Sequence, residues 1–205
     1  MRKHDRPRYL GIVAGIILLG LGAGSTSAMA PSASDAVRQA LDTATALGST
    51  EVSRADRLEA LRRMAHELVD TRAMGIRAIG SGLEGRPDAQ REEFLTLFDE
   101  LIVRSYLQKL LLFRDPEFRF AREAELGDVT IVHTEVVTPK DSYDVTYEMH
   151  QRDGRWLARN IFVEGVSLMS SYSTQFEGLL RDRSFEDLLD LMRRKVDGFR
   201  TRDAA

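Results

Sequence analysis

The chain has no cysteine among its 205 residues. This absence excludes disulfide bonds, thiolate chemistry and a lipid anchor attached to a leading cysteine. Internal repeats and low-complexity segments are also absent from the sequence. The length suits one domain with a sizeable core and leaves little room for two full domains.

Long apolar runs are scarce, and the main one, from Leu10 to Leu21, is broken only by glycines. It is shorter than the roughly 20 residues that span a bilayer comfortably. Four basic residues precede it within the first eight positions, and small residues follow it up to Ala30. This order is typical of a secretory signal peptide. We predict that residues 1–28 are a signal peptide, with cleavage between positions 28 and 30, and that residues 31–205 form a single α+β domain. Export without disulfides suits the bacterial periplasm.

The chain also lacks an excess of positive charge. Removal of the first 28 residues would take away four basic residues and one acidic residue, and would shift the formal net charge from −3 to −6. An acidic protein is a poor partner for nucleic acid or for anionic lipid head groups. If this protein handles lipid, we expect an apolar pocket and not a basic surface.

The hydrophobic pattern predicts helices first, then strands, then helices. Helical spacing is expected from Ser34 to about Leu47, from Ser53 through Leu68, around Met74 to Ile79, and from Asp88 to about Phe113. Four strands are expected next, over residues 118–125, 129–137, 143–150 and 155–163, with a turn at Asp153-Gly154. Two helices close the chain, from about Val166 to Leu180 and from Ser184 to Arg200. This order predicts an α+β fold with an antiparallel sheet.

A strand-turn-helix motif carries the strongest functional signal. It begins at Trp156, turns at Glu164-Gly165, continues as Val166-Ser167-Leu168 and ends at Gln175-Phe176. Two further stretches accompany it in order: the helix Gln90-Arg91 to Leu110, which carries Phe94, Phe98 and Tyr106, and the strand Val132-His133-Thr134-Glu135-Val136. Together these stretches resemble the MlaC or toluene-tolerance auxiliary family of periplasmic phospholipid-binding proteins. Arg159-Asn160 stands where that family usually has Tyr-Asp.

The resemblance implies a cone-like sheet, related to that of nuclear-transport-factor-like folds, packed with N- and C-terminal helices around a deep apolar pocket. It implies a soluble periplasmic carrier, not an enzyme, that shuttles phospholipid between outer- and inner-membrane complexes of an ABC-type lipid-transport system. The expected partners are phospholipid, the inner-membrane ABC complex and an outer-membrane lipoprotein complex, and no cofactor or metal is implied. Within this reading we predict twelve lipid-binding residues: Leu101, Tyr106, Leu110, Val145, Tyr147, Met149, Trp156, Ile161, Val163, Val166, Leu168 and Met169. The sequence leaves open the lipid class, the number of chains held, the direction of transport and the oligomeric state.

Two other classes of function remain as alternatives. A small isomerase- or dehydratase-type pocket enzyme could use an acid-base pair such as His133 with Asp144. A structural interaction module would have no ligand. His66-Glu67 resembles the start of a zinc-protease motif, but Asp70 follows where a second histidine is required, so we interpret it as a solvated helix face.

Overall fold

The computed structural model describes residues 31–49, 51–110 and 117–203, without the side chains of residues 48–49 and 107–110. The predicted signal peptide lies outside these ranges. The helices are α1 (Ala33–Ser49), α2 (Arg54–Leu68), α3 (Thr71–Ile79), α4 (Asp88–Leu110), α5 (Leu168–Asp182) and α6 (Phe185–Asp203). The strands are β1 (Glu117–Leu126), β2 (Val129–Val137), β3 (Ser142–Arg152), β4 (Arg155–Val163) and β5 (Val166–Ser167).

The five strands form one antiparallel sheet in the order β1-β2-β3-β4-β5, so each strand pairs with its neighbour in sequence. The turn between β3 and β4 has φ of 52° at Asp153 and 73° at Gly154. Both values lie in the left-handed region that two-residue hairpin turns require, and Asp and Gly adopt it at low cost. The predicted α+β class and the predicted hairpin are therefore confirmed.

One predicted boundary was wrong. The last helix pair does not begin at Val166, because Val166 and Ser167 pair with β4 as a short strand before α5 starts at Leu168. Between α3 and α4, the segment Gly80–Leu83 forms a 3₁₀ turn with Leu83 buried. The predicted end of α4 near Phe113 lies outside the described residues.

Two helices begin at serine residues whose side chains cap them. Ser53 accepts a hydrogen bond from the backbone N–H of Asp56 at 3.1 Å and so caps α2. Ser184 and Asp187 form a capping box at the start of α6, with each side chain accepting the other's backbone N–H at 3.0–3.1 Å. Such a cap stabilises a helix by about 1 kcal/mol because it satisfies donors that have no partner inside the helix.

An aromatic cluster fills the space between α4, α5 and α6. Its ring centroids lie 5.4–6.1 Å apart, in edge-to-face, tilted and stacked pairs, and its members are Phe94, Phe98, Tyr172, Phe176 and Phe185. Burial in the core of the domain thus accounts for the apolar side chains that α4 presents to this cluster. Pairs of this kind add about 0.5–1.5 kcal/mol beyond the area that they bury.

Helix α1 packs against the apolar face of the sheet. Ala33, Val37, Ala40 and Leu41 of that helix are buried in the same continuous core that contains Val132 of the sheet. In the described parts of the chain, no helix combines the length and the apolarity needed to cross a bilayer.

Candidate functional site

Along β3, Tyr143, Val145, Tyr147 and Met149 alternate with polar residues, and this alternation predicts that they face the core. Val145 lies opposite Thr134 across β2 and β3, Tyr147 opposite Val132, and Met149 opposite Thr130. Side chains directly opposite each other on paired strands point to the same face. The predicted inward face of β3 therefore has the right register, and Tyr147 and Met149 are buried in the core.

Strand β4 adds its own apolar residues to that face. Val163 pairs with Val145, and Ile161 pairs with Tyr147. A register shift between Glu148 and Met149 then brings Ala158 opposite Met149. This bulge inserts one residue into β4, so Trp156 and Ala158 stay on the same face as Ile161 despite the intervening Arg159-Asn160.

The helical members of the predicted site occupy different depths. Leu101 of α4 and Leu168 of α5 are buried, and Tyr106 and Met169 are half-buried against the same core. Val166, at the turn, is 59% exposed. The side chain of Leu110 lies outside the described residues. Most of the predicted lining therefore belongs to one apolar cluster, while a role in lipid binding stays a prediction for all twelve residues.

Two tyrosines bring hydroxyl groups into this apolar interior. Burial raises the pKa of Tyr147 to about 12, and burial likewise raises the pKa of Tyr106 to about 12. Both hydroxyls are therefore neutral at physiological pH and introduce no charge into the interior.

The turn of the family-like motif is held by a buried amide that the sequence reading did not single out. The Asn160 Oδ1 accepts the backbone N–H of Met169 at 3.3 Å and of Ile161 at 3.0 Å, and Asn160 Nδ2 donates to Ser167 Oγ at 3.0 Å. Ser167 in turn caps α5 by accepting the N–H of Ser170. Asn160 thus fixes the angle between β4 and α5, a role that was hidden because the residue sits at a bulge.

The tip of this turn has an unusual backbone. Glu164 has a φ of 51° and Gly165 a φ of 73°. A left-handed conformation is costly for a residue with a side chain. Glu164 is held there by pairing with Asp144, because its N–H donates to the Asp144 carbonyl at 2.9 Å and its carboxylate accepts the Asp144 N–H at 2.5 Å.

Asp70 has a fully buried side chain, and its partners in the sheet were missed by the sequence analysis. It caps α3 by accepting the N–H of Ala73 at 2.9 Å, and it also contacts His150 Nε2 at 3.1 Å and Arg152 Nη1 at 2.6 Å. The sequence predicts the cap. The partners on β3 are about eighty positions away in the chain and no local pattern reveals them.

A partly open pocket of about 530 Å³ lies between α1, α2 and the β3–β4 hairpin. Its lining combines apolar side chains with polar and charged ones. The lining residues are Pro31, Ala36, Gln39, Ala40, Thr43, Met64, Glu67, Leu68, Gly154, Arg155 and Trp156. Of the twelve predicted lipid-binding residues, Trp156 alone belongs to this lining.

The residues that suggested an enzyme are not gathered in this pocket. His133 lies on the sheet face opposite Val132, and its Nδ1 is 2.9 Å from the hydroxyl of Thr146. Burial and the nearby Arg122 lower the pKa of His133, while Asp144 acts in the opposite direction. His66 contacts the Asp99 carboxylate of α4 at 3.0 Å, so it joins two helices in addition to facing solvent. Among the described residues, no three His, Asp or Glu side chains are grouped so that they could hold a metal ion.

The described fold and its β4–α5 corner match a known protein family. The family model of the MlaC protein matches residues 33–194 of this chain, so the chain belongs to the MlaC family. A solved structure with the same fold is that of a phospholipid-binding protein from Ralstonia solanacearum in complex with a phospholipid. The two chains are 16% identical with a TM-score of 0.73, over 82% of this chain and 98% of the other. The resemblance inferred from the sequence is thereby confirmed at the level of family and fold.

Proposed function

We propose that this protein binds a phospholipid through its acyl chains and carries it across the periplasm. In this proposal the carrier works between outer- and inner-membrane complexes of an ABC-type lipid-transport system. Membership of the MlaC family over residues 33–194 is the observation that carries the proposal. The fold shared with the phospholipid-bound protein of Ralstonia solanacearum supports the ligand class, and the signal-peptide-like order of residues 1–28 supports the compartment.

The physical need for a carrier follows from the hydrophobic effect. Two acyl chains contain on the order of thirty methylene groups, and each costs about 0.8 kcal/mol to expose to water. A lipid therefore leaves a bilayer through water too slowly to be useful. A protein that covers the chains removes most of this cost, and it must have a way to release them again.

The interior between sheet and helices is the proposed place for the chains. Tyr147, Met149, Leu101 and Leu168 provide buried apolar surface there. These side chains belong to a single packed cluster. Loading must therefore separate them, and the free energy that this separation costs lowers the net affinity and so favours release at a partner complex.

The test is to express the full chain with its own leader in a Gram-negative host, purify it from the periplasmic fraction without detergent, and extract it for lipid mass spectrometry. Phospholipid at close to a stoichiometric amount is the expected result. The delipidated protein is then offered phospholipid vesicles. Saturation at about 100 times the dissociation constant adds roughly 2.7 kcal/mol, which corresponds to a melting shift of about 5–10 °C for a domain of this size. A protein that is recovered empty and melts unchanged after the offer of lipid would refute the proposal.

A further inference from the structure

Five charged side chains join the second half of α4 to α2 and α6. The Asp203 carboxylate, near the end of α6, accepts hydrogen bonds from Arg62 of α2 at 2.5 Å and from Arg104 of α4. Glu100 of α4 accepts from Arg104 Nε at 3.2 Å and from Arg200 Nε of α6 at 3.1 Å. Positive and negative groups therefore alternate along one continuous series of contacts. We call these five residues the α4 charged cluster.

Most of this cluster is shielded from water. The side chains of Arg104 and Asp203 are 13% and 11% exposed, those of Arg62 and Glu100 are also largely covered, and Arg200 is the most exposed member. Partly buried ion pairs are screened much less than exposed ones. The cluster should therefore restrain the helices more firmly than an ordinary surface ion pair does.

The same part of α4 borders the interior in which we place the acyl chains. Leu101 follows Glu100 in the chain and lies about 100° around the helix from it. Leu101 belongs to the apolar cluster that contains Tyr147 and Met149 of the sheet. Helix α6 packs against α4, so the α4 charged cluster holds α4 on a face next to the one that carries Leu101.

Helix α4 meets the sheet differently from α3 and α5. Asp70 at the start of α3 contacts His150 and Arg152 of β3. Asn160 of β4 binds the start of α5. Leu101 meets the sheet by apolar packing, which is not directional. We therefore expect α4 to move away from the sheet more easily than α3 or α5 when acyl chains enter.

We propose that the α4 charged cluster is a restraint that sets the rate at which the protein takes up phospholipid. When no lipid is bound, the cluster holds the second half of α4 against the sheet. Helix α4 must move outward, with contacts of the cluster broken, before an acyl chain enters beside Leu101. The inference rests on the proposed function and adds to it the element that moves and the group that restrains it.

The experiment measures the rate of uptake. Delipidated protein is mixed in a stopped-flow instrument with phosphatidylethanolamine vesicles that contain a pyrene-labelled phospholipid, and the loss of excimer fluorescence follows transfer to the protein. Asp203→Asn removes the charge that both Arg62 and Arg104 bind. We expect this variant to take up lipid about fivefold faster than the parent, as for the loss of one partly exposed ion pair.

The matched control is Glu93→Gln. Glu93 accepts a hydrogen bond from Arg193 Nε at 2.7 Å, so this substitution also breaks an ion pair between α4 and α6. Glu93 lies about two turns before Glu100, outside the half of α4 that carries Leu101, and Glu93→Gln should keep the parent rate. Thermal melts of both variants check that they are folded.

The outcomes separate this inference from the proposed function. If Asp203→Asn takes up lipid at the parent rate, or if Glu93→Gln accelerates uptake to the same extent, the inference is overturned and the proposed function stands. A parent that takes up no lipid would overturn both.

A second variant keeps the inference testable if Asp203→Asn does not fold. The parent has no cysteine, so Glu100→Cys combined with Arg200→Cys provides a single pair of thiols where α4 and α6 are in contact. A short, cleavable bis-maleimide across this pair should slow uptake relative to the same variant without the reagent, and cleavage of the linker should restore the rate. Uptake that the cross-link does not change would refute the role of the restraint.

Discussion

The buried Asp70 carboxylate should be one of the most sensitive polar positions in this fold. It caps α3 and contacts His150 and Arg152 of β3, and its side chain is fully buried. Loss of a helix cap costs about 1 kcal/mol. Loss of a hydrogen bond to a charged partner costs about 1.5–3 kcal/mol, but the Arg152 side chain is 48% exposed, and water therefore compensates part of that loss.

We therefore expect Asp70→Ala to lower the free energy of unfolding by about 2–4 kcal/mol, which corresponds to a fall of about 5–15 °C in melting temperature. Asp70→Asn keeps an oxygen that can accept the Ala73 N–H, but it places an NH2 donor where Oδ2 contacts His150 and Arg152. It should therefore keep the cap, lose both contacts with β3 and cost about 1–3 kcal/mol. Urea unfolding followed by circular dichroism, and a thermal melt at the same pH, measure both variants.

The matched control is the exposed cap of α2. Ser53 makes the same kind of hydrogen bond, to the Asp56 N–H at 3.1 Å, at an exposed position. Ser53→Ala should cost only about 1 kcal/mol. If Asp70→Ala is no more destabilising than Ser53→Ala, the contacts with His150 and Arg152 contribute nothing to stability and the reasoning is refuted.

Three further predictions concern glycine packing, pH and the turn of the family motif. A Cβ atom at Gly75 would lie 2.9 Å from Phe98 and 3.1 Å from Leu95, whereas nothing lies within 4 Å of one at Gly178. In urea unfolding, Gly75→Ala should therefore destabilise the fold by about 1–3 kcal/mol, and Gly178→Ala should stabilise it by about 0.5–1 kcal/mol. Equal effects of the two substitutions would contradict the packing around Gly75. The hydrogen bond to Asp99 raises the pKa of His66, so the pair stabilises the fold fully below a pH of about 6.5 and the contribution is lost as pH rises through the raised pKa. Because His66 is half exposed, the free energies of unfolding of the parent and His66→Gln should differ by at most about 1 kcal/mol at pH 6 and should converge by pH 8.5. A difference that persists at pH 8.5 would contradict this prediction. Val166 is exposed, so Val166→Glu should fold normally. It should lose bound lipid on extraction if Val166 contacts the lipid, while unchanged lipid at equal folded fraction would exclude that contact.

Local and periodic features were predictable from the sequence. The caps at Ser53, Asp70 and Ser184 depend on side chains within three or four residues of the helix start, so a local pattern is sufficient. The alternation Tyr143, Val145, Tyr147 and Met149 determines which face of β3 is buried, because side chains alternate with a period of two along a strand. The family was recognisable for a similar reason, since its motif is one continuous strand, turn and helix.

Tertiary structure decided the features that join distant segments. Nothing near Asp70 in the chain indicates His150 and Arg152, and nothing near Arg155 indicates that Glu67 of α2 lies beside it. The bulge at Arg159-Asn160 is likewise set by pairing with β3, because an extra residue appears only when two strands are aligned. The sequence by itself determined the fold class, the helix caps and the buried faces through local periodicity. The paired charges and the pocket arose only when helices α1 and α2 packed against the β3–β4 hairpin, since such contacts depend on distances in space and not along the chain.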